Sequence, residues 1–99
     1  MHHYRINASI QLVPINDAQK HPYVWIDEII VIIQQSGLLI EVSAFQSIVE
    51  GTYEEITQLI DDINEYLYVN NCIEWLLQVQ YQLRSNADMT ALEKTKAYQ

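Results

Sequence analysis

Residues 51–83 read GTYEEITQLIDDINEYLYVNNCIEWLLQVQYQL and contain the clearest structural boundary in the chain. Thr52, followed three residues later by Glu55, matches a capping box, in which the two side chains satisfy free backbone N–H groups at a helix start. Apolar residues then recur at helical spacing, at Ile56, Leu59, Ile60, Ile63 and Leu67. The segment therefore predicts a helix that begins after Thr52 and ends near Val69.

Two segments with alternating apolar residues predict strands that each bury one face. The first covers residues 5–15 and the second residues 72–83. The predicted buried faces consist of Ile6, Ala8, Ile10 and Leu12 in the first segment, and of Ile73, Trp75, Leu77, Val79 and Tyr81 in the second.

A second helix is predicted over residues 22–36, because Pro22 suits a first helical turn and Gly37 suits the residue after a helix end. The stripe expected to face the sheet consists of Ile26, Ile29, Ile30 and Ile33. Trp25, Val31 and Ile32 lie off this stripe and are predicted to form a second apolar surface.

The middle of the chain predicts two short strands, over residues 38–44 and 45–50, with a turn near residues 43–46. A short helix over residues 89–98 is expected to follow the last strand. The resulting order, βαββαβ, is the ferredoxin-like arrangement of the α+β class. It has a four-stranded antiparallel sheet with two helices on one face, and we expect residues 1–99 to form one domain.

Composition excludes several classes of function. Lys and Arg number 5 against 13 Asp and Glu, for a net charge of −8, so the chain lacks the basic face that nucleic-acid binding requires. The longest apolar run, residues 29–33, is far shorter than the roughly 20 residues of a membrane span, and no membrane partner is expected. One cysteine and no recognisable export signal favour a cytoplasmic location.

The sheet face away from the helices is predicted to be rich in amides and hydroxyls. It would carry Asn7, Ser9, Gln11, Val13, Glu41, Ser43, Leu76, Gln78, Gln80 and Gln82. Such a face suits a second sheet or a small polar ligand, although simple tolerance of these residues on a solvated sheet is an equally open alternative. With the second apolar surface, it favours self-association as a homo-oligomer, either a dimer or a tetramer.

The sequence offers no combination of residues that indicates catalysis, so we expect a protein that is not an enzyme and needs no cofactor or metal. His2 and His3 lie at the N-terminus, and His21 has no acidic partner at a fixed spacing. Cys72 lacks the activating histidine or helix N-terminus that a catalytic thiol needs, and is interpreted as a buried structural thiol. The adjacent acidic pairs Glu54-Glu55 and Asp61-Asp62 lie on the helix predicted after Thr52, and adjacent residues do not share a helix face.

Three stretches together resemble the small thiamine-binding protein family. They read ASIQLVPI over residues 8–15, SGL over residues 36–38 and SIVEG over residues 47–51. Members typically show a strand ending in Val-Pro-Ile-Gly and a Thr-x-x-Glu-Gly motif before the second helix. Here Asn16 stands where glycine is usual, and Ser47 replaces the common threonine while keeping the hydroxyl.

The resemblance implies a ferredoxin-like homo-oligomer, often a tetramer, that binds thiamine or its hydroxymethylpyrimidine precursor without chemistry. The candidate ligand-binding residues are Phe45, Ser47 and Glu50, with Ser9 and Gln11 on a neighbouring strand. Alternation would place Ser47 and Glu50 on different faces unless the strand end bends. The alternative function is a structural or protein-interaction homo-oligomer with no small ligand.

Overall fold

The structure is a computed structural model that describes residues 4–16, 20–43 and 46–83. The elements in chain order are β1 (Arg5–Asn16), α1 (Pro22–Gln35), β2 (Leu39–Val42), β3 (Ser47–Thr52), α2 (Tyr53–Val69) and β4 (Glu74–Gln82). They confirm the predicted α+β class and the βαββαβ order. The helix predicted over residues 89–98 lies outside the described residues.

The strands form one antiparallel sheet in the order β2-β3-β1-β4. β1 pairs with β4 from Asn7 to Asn16, but it pairs with β3 only from Arg5 to Ile10. Ile10 pairs with Ser47, the first residue of β3, and β1 continues beyond this pair. Within the described residues, no strand flanks β1 on that side after Ile10. We call this gap in the sheet the notch.

Both helices pack on the same side of the sheet. The side chains of β1 that were predicted to be buried all are, and α2 contributes Ile56, Leu59, Ile63 and Leu67 to the same core. Burying a side chain of this size contributes roughly 1.5–3 kcal/mol, so this layer supplies much of the driving force for folding. None of the described helices combines the length and apolarity needed to span a membrane.

The prediction that Trp25 lies on an outer apolar surface is wrong, because Trp25 is 0% exposed. Its ring packs edge-on against Tyr66 of α2, with 6.5 Å between ring centroids. Because α1 contacts α2 as well as the sheet, its buried residues are Trp25, Ile29 and Ile33. Ile32 is half-buried against the core, so only Val31 of the predicted outer surface remains clearly exposed.

The helix ends follow the local signals in the sequence. The capping box is present, since Thr52 Oγ1 accepts from the Glu55 N–H at 3.2 Å and Glu55 Oε1 accepts from the Thr52 N–H at 2.9 Å. Gly37 has a φ of +82°, the left-handed conformation that favours glycine after a helix. His21, predicted to be a surface loop residue, is exposed and caps α1 by accepting from the Tyr23 N–H at 3.2 Å.

The predicted boundaries of the other strands need correction. β2 is shorter than predicted, and β3 begins and ends two residues later, because Ser43 and Gln46 close the connecting turn. The Ser43 N–H donates to the Gln46 carbonyl at 2.9 Å, and the Gln46 N–H donates to Ser43 Oγ at 3.2 Å. β4 begins at Glu74, and Ile73, predicted to point inward, is 66% exposed because it precedes the strand.

Candidate functional site

The sheet face away from the helices, here called the open face, carries the predicted amide side chains. Cross-strand register pairs Gln11 with Gln78 and Ser9 with Gln80. These residues border a concavity of about 430 Å³, the open-face cavity, lined by Ser9, Gln11, Gln46, Gln78, Val79 and Gln80. The glutamine amides in this set make no hydrogen bond within the described part of the chain.

Glu50 also lies on the open face, because it pairs with Asn7 across β1. It is 7% exposed, and its Oε2 atom lies 3.3 Å from Nη2 of Arg5. The same guanidinium group approaches the Glu50 backbone carbonyl at 3.4 Å. The charge of Glu50 is therefore compensated inside the protein, next to the buried Asn7 side chain.

A second, smaller cavity occupies the notch between β1 and α1. This notch cavity has a volume of about 120 Å³. Its apolar walls are Ile10, Leu12, Ile26, Ile29, Ile30 and Ile33, and its polar residues are Gln11, Ser43, Gln46 and Ser47. It exists because β3 begins only at Ser47, opposite Ile10. The part of β1 after Ile10 therefore has no β3 residue beside it, and α1 borders the resulting gap.

Ser47 faces the helices and not the open face, since it pairs with the buried residue Ile10. It is 5% exposed, and its hydroxyl makes no hydrogen bond to any described residue. Ser43 is held at the rim by its hydroxyl, which donates to the Gln46 carbonyl at 2.9 Å. The notch cavity thus combines a preformed polar rim with a free hydroxyl.

The lining of the notch cavity favours a flat, polar ring as its ligand. None of the described lining residues is ionisable, and its hydroxyls and amides can both donate and accept hydrogen bonds. Its volume is close to the roughly 150 Å³ of an apolar cavity that accommodates benzene. The site therefore offers apolar contact and neutral hydrogen-bonding groups in a space of about one six-membered ring.

The structure brings together some of the sequence-predicted site residues and separates others. Gln11 and Ser47 meet at the notch cavity, and Ser9 lies with Gln11 on the open-face cavity. Glu50 faces the open side with Arg5, away from Ser47. Phe45 lies outside the described residues, as do His2 and His3.

Sequence reasoning missed the contribution of Ile26 and Ile30, which it assigned entirely to the core. Both are only half-buried and line the notch cavity. It also missed Ser43 and Gln46 as rim residues. A polar pair that closes a turn without glycine is the signal that could have marked them.

A polar cluster away from both cavities joins α1 to α2. Lys20 Nζ donates to Glu28 Oε1 and Oε2 at 2.9 and 3.0 Å, and the Tyr66 hydroxyl donates to Glu28 Oε2 at 2.7 Å. The Lys20 hydrogen bond holds the pKa of Glu28 below its usual value, against the opposing effect of burial. Burial, followed by the hydrogen bond to Glu28, raises the pKa of Tyr66.

This cluster is structural in its geometry. Lys20 Nζ also lies 4.2 Å from the ring centroid of Trp25, so the ammonium group closes the gap above the buried indole.

Cys72 is buried, as predicted for a structural thiol. Among residues 4–16, 20–43 and 46–83, no group of His, Cys, Asp and Glu side chains is arranged to hold a metal ion.

Comparison with known proteins identifies the family. No curated protein matches the chain. A Bacillus cereus domain of unknown function superposes with a TM-score of 0.87 at 23% identity, over 97% of this chain and 91% of that one. A Thermotoga maritima protein named for thiamine biosynthesis or salvage superposes with a TM-score of 0.81 at 26% identity, over 96% of this chain and 99% of that one. The model of the thiamine-binding protein family matches residues 8–99, and the chain therefore belongs to that family.

Proposed function

We propose that this protein binds hydroxymethylpyrimidine or thiamine reversibly, without a chemical step, and that it acts as a homo-oligomer assembled through the open face. The notch cavity carries this proposal, because it places free hydroxyl and amide groups beside isoleucine walls in a space of one ring. Membership of the thiamine-binding protein family supports it. The T. maritima relative, named for thiamine biosynthesis or salvage, points to the same chemistry.

The aminopyrimidine ring fits the notch cavity better than the whole of thiamine does. Its ring nitrogens accept and its amino group donates, which matches the Ser47 hydroxyl and the amides of Gln11 and Gln46. The cavity volume of about 120 Å³ is filled by one ring. The thiazolium ring of thiamine would therefore extend outward past the two glutamines, towards the open-face cavity.

Glu50 does not supply a counter-charge for that cationic ring in this arrangement. It lies on the other face of the sheet, and Arg5 already compensates its charge. Hydroxymethylpyrimidine is neutral, so the absence of an ion pair with Glu50 does not lower its affinity relative to that of thiamine. We propose it as the ligand that the site fits best.

Binding without catalysis follows from the same lining. Hydroxyls and amides do not exchange protons readily near neutral pH, and a serine nucleophile needs an adjacent base. The described lining of the notch cavity provides apolar contact and hydrogen bonds only. The proposed role is that of a carrier, buffer or sensor.

Self-association through the open face is supported by charge. The chain has a net charge of −8, so two copies repel each other wherever their acidic surfaces meet. Around the open-face cavity the described side chains are uncharged, Glu50 is compensated by Arg5, and Glu41 of the same face lies on β2, at the opposite edge of the sheet. Amides both donate and accept, so this surface can pair with a copy of itself across a twofold axis.

The area of the open face is close to the minimum that such a contact needs. At about 3.4 Å per residue and about 4.8 Å between strands, the four strands present roughly 500 Å² on one face before side-chain relief is counted. Two copies that paired over this whole face would bury about 1,000 Å², the minimum for a specific interface, although Asn7 and Glu50 on this face are already buried within one protomer. The single cysteine, Cys72, is buried, which agrees with the reducing cytoplasm as the proposed location.

Titration calorimetry and thermal unfolding with hydroxymethylpyrimidine, thiamine and the isolated hydroxyethylthiazole test the proposed function. We expect the first two to bind and the thiazole alone not to bind. A ligand at about 100 times its dissociation constant should stabilise the folded state by about 2.7 kcal/mol. Absence of binding by both pyrimidine compounds would overturn the proposal and favour the alternative, a structural homo-oligomer.

A further inference from the structure

Gln11 and Gln46 line both the notch cavity and the open-face cavity. Gln11 lies on β1 where the notch begins, and Gln46 immediately precedes β3. Their side-chain amides make no hydrogen bond within the described residues, and Gln46 is exposed. A molecule in the notch cavity and a partner on the open face would therefore both contact Gln11 and Gln46.

We infer that ligand binding in the notch cavity and self-association through the open face are coupled, with Gln11 and Gln46 as the shared wall. The partner is a second copy of this chain, for which the uncharged, self-complementary residues that line the open-face cavity argue. The inference rests on the proposed function. It adds that the binding site is incomplete in a lone protomer, because one side of its polar wall is then open to solvent.

The physical basis is the freedom of the two glutamine side chains. A glutamine without hydrogen-bond partners samples many rotamers, and either binding event must fix it. The second binding event loses less conformational entropy, because the side chain is already ordered, and its affinity is therefore higher. Immobilising one such side chain corresponds to about two- to tenfold in affinity. Coupling between two binding equilibria is reciprocal, so the ligand strengthens self-association by the same factor.

Gln80→Glu tests the coupling without touching the ligand. Gln80 lines the open-face cavity but not the notch cavity. The nearly isosteric change places like charges against each other in the assembly and should weaken self-association. Neutral hydroxymethylpyrimidine is the probe, so that the added charge does not act on the ligand directly. Gln34→Glu, on an exposed part of α1 that lines neither cavity, is the matched control.

We expect Gln80→Glu to bind hydroxymethylpyrimidine about two- to tenfold more weakly than the wild type at a concentration where the wild type is assembled. Gln34→Glu should match the wild type in both affinity and mass. In the reciprocal measurement, sedimentation of the wild type with saturating hydroxymethylpyrimidine should show self-association strengthened by the same factor. Dilution of the wild type below the dissociation constant of its self-association gives the same comparison with no substitution.

Two results would overturn the coupling while leaving the proposed ligand binding intact. The first is a wild type that binds the probe but stays a monomer with and without it. The second is a dissociated Gln80→Glu protein that binds as tightly as the assembled wild type. A wild type that self-associates but binds no pyrimidine would instead overturn the proposed function, and the coupling with it.

Discussion

Ser47 and Glu50 belong to the same short strand, β3, but lie on opposite faces of the sheet. Ser47 pairs with Ile10 under the helices, whereas Glu50 pairs with Asn7 on the open face. The family motif that contains both residues therefore serves two purposes. Ser47 lines the notch cavity, and Glu50 forms an ion pair with Arg5.

Ser47→Ala should weaken the binding of hydroxymethylpyrimidine about two- to tenfold, because one hydrogen bond to the ligand is lost. Glu50→Gln should leave this affinity unchanged, since Glu50 does not line the notch cavity. Titration calorimetry at a protein concentration where all variants sediment with the same mass measures both effects. The assignment of Ser47 to the site would be wrong if its alanine variant bound as tightly as the wild type.

Ile30→Phe should reduce binding by more than about tenfold, because the larger side chain fills a cavity that holds one ring. Ile30 is half-buried in the wall of the notch cavity. Its neighbour Val31 is 46% exposed and lines no described cavity, so Val31→Phe is the matched control with the same new ring. Thermal unfolding should show both variants folded. Equal affinities for the two variants would place the ligand elsewhere.

Thr52→Ala should lower the free energy of unfolding by about 1 kcal/mol, because the Glu55 N–H loses its capping partner. Urea denaturation should show a lower midpoint with an unchanged slope. Glu55→Ala removes the reciprocal bond to the Thr52 N–H. Since the two bonds form one unit, the double variant should lose less stability than the single losses added together. Strict additivity would contradict the reciprocal geometry.

The Lys20–Glu28–Tyr66 cluster predicts how stability depends on pH. The lowered pKa of Glu28 means that its contribution is complete above the ordinary glutamate range and is lost as the pH falls through the lowered value. The raised pKa of Tyr66 means that its contribution is complete below the ordinary tyrosine pKa and is lost as the pH rises through the raised value.

Glu28→Gln should therefore be less stable than the wild type at pH 7, with a difference that shrinks in acid. Urea denaturation at a series of pH values measures this difference. Asp27→Asn is the matched control, because Asp27 is the exposed neighbour on α1 and belongs to no described ion pair. A stability difference for Glu28→Gln that is the same at all acidic pH values would show that the ion pair is not its source.

Features that depend on neighbours in sequence could be predicted. The capping box, Pro22 at a helix start and Gly37 after a helix end are all observed, because each acts within one helical turn. The burial of Trp25 could not be predicted in the same way. It depends on Tyr66 and Lys20, which reach it from another helix and from the segment before α1.

Only part of the candidate site could be predicted from the sequence. Gln11 and Ser47 entered through strand alternation and the family resemblance, and both line the notch cavity. The cavity lies next to Ser47, where the pairing of β3 with β1 ends. An alternating pattern predicts a strand, but it does not predict where the pairing of that strand with its neighbour ends. That end is set by the turn between Ser43 and Gln46, which is closed by a serine hydroxyl and not by a glycine.

The unequal lengths of β1 and β3, 12 and 6 residues, leave backbone amides and carbonyls of β1 beside the notch. Bare strand borders of this kind can recruit a strand from another molecule and begin aggregation. Pro14, which has no N–H to offer, blunts the far end of this border. A ligand seated in the notch would cover the nearer part of this border.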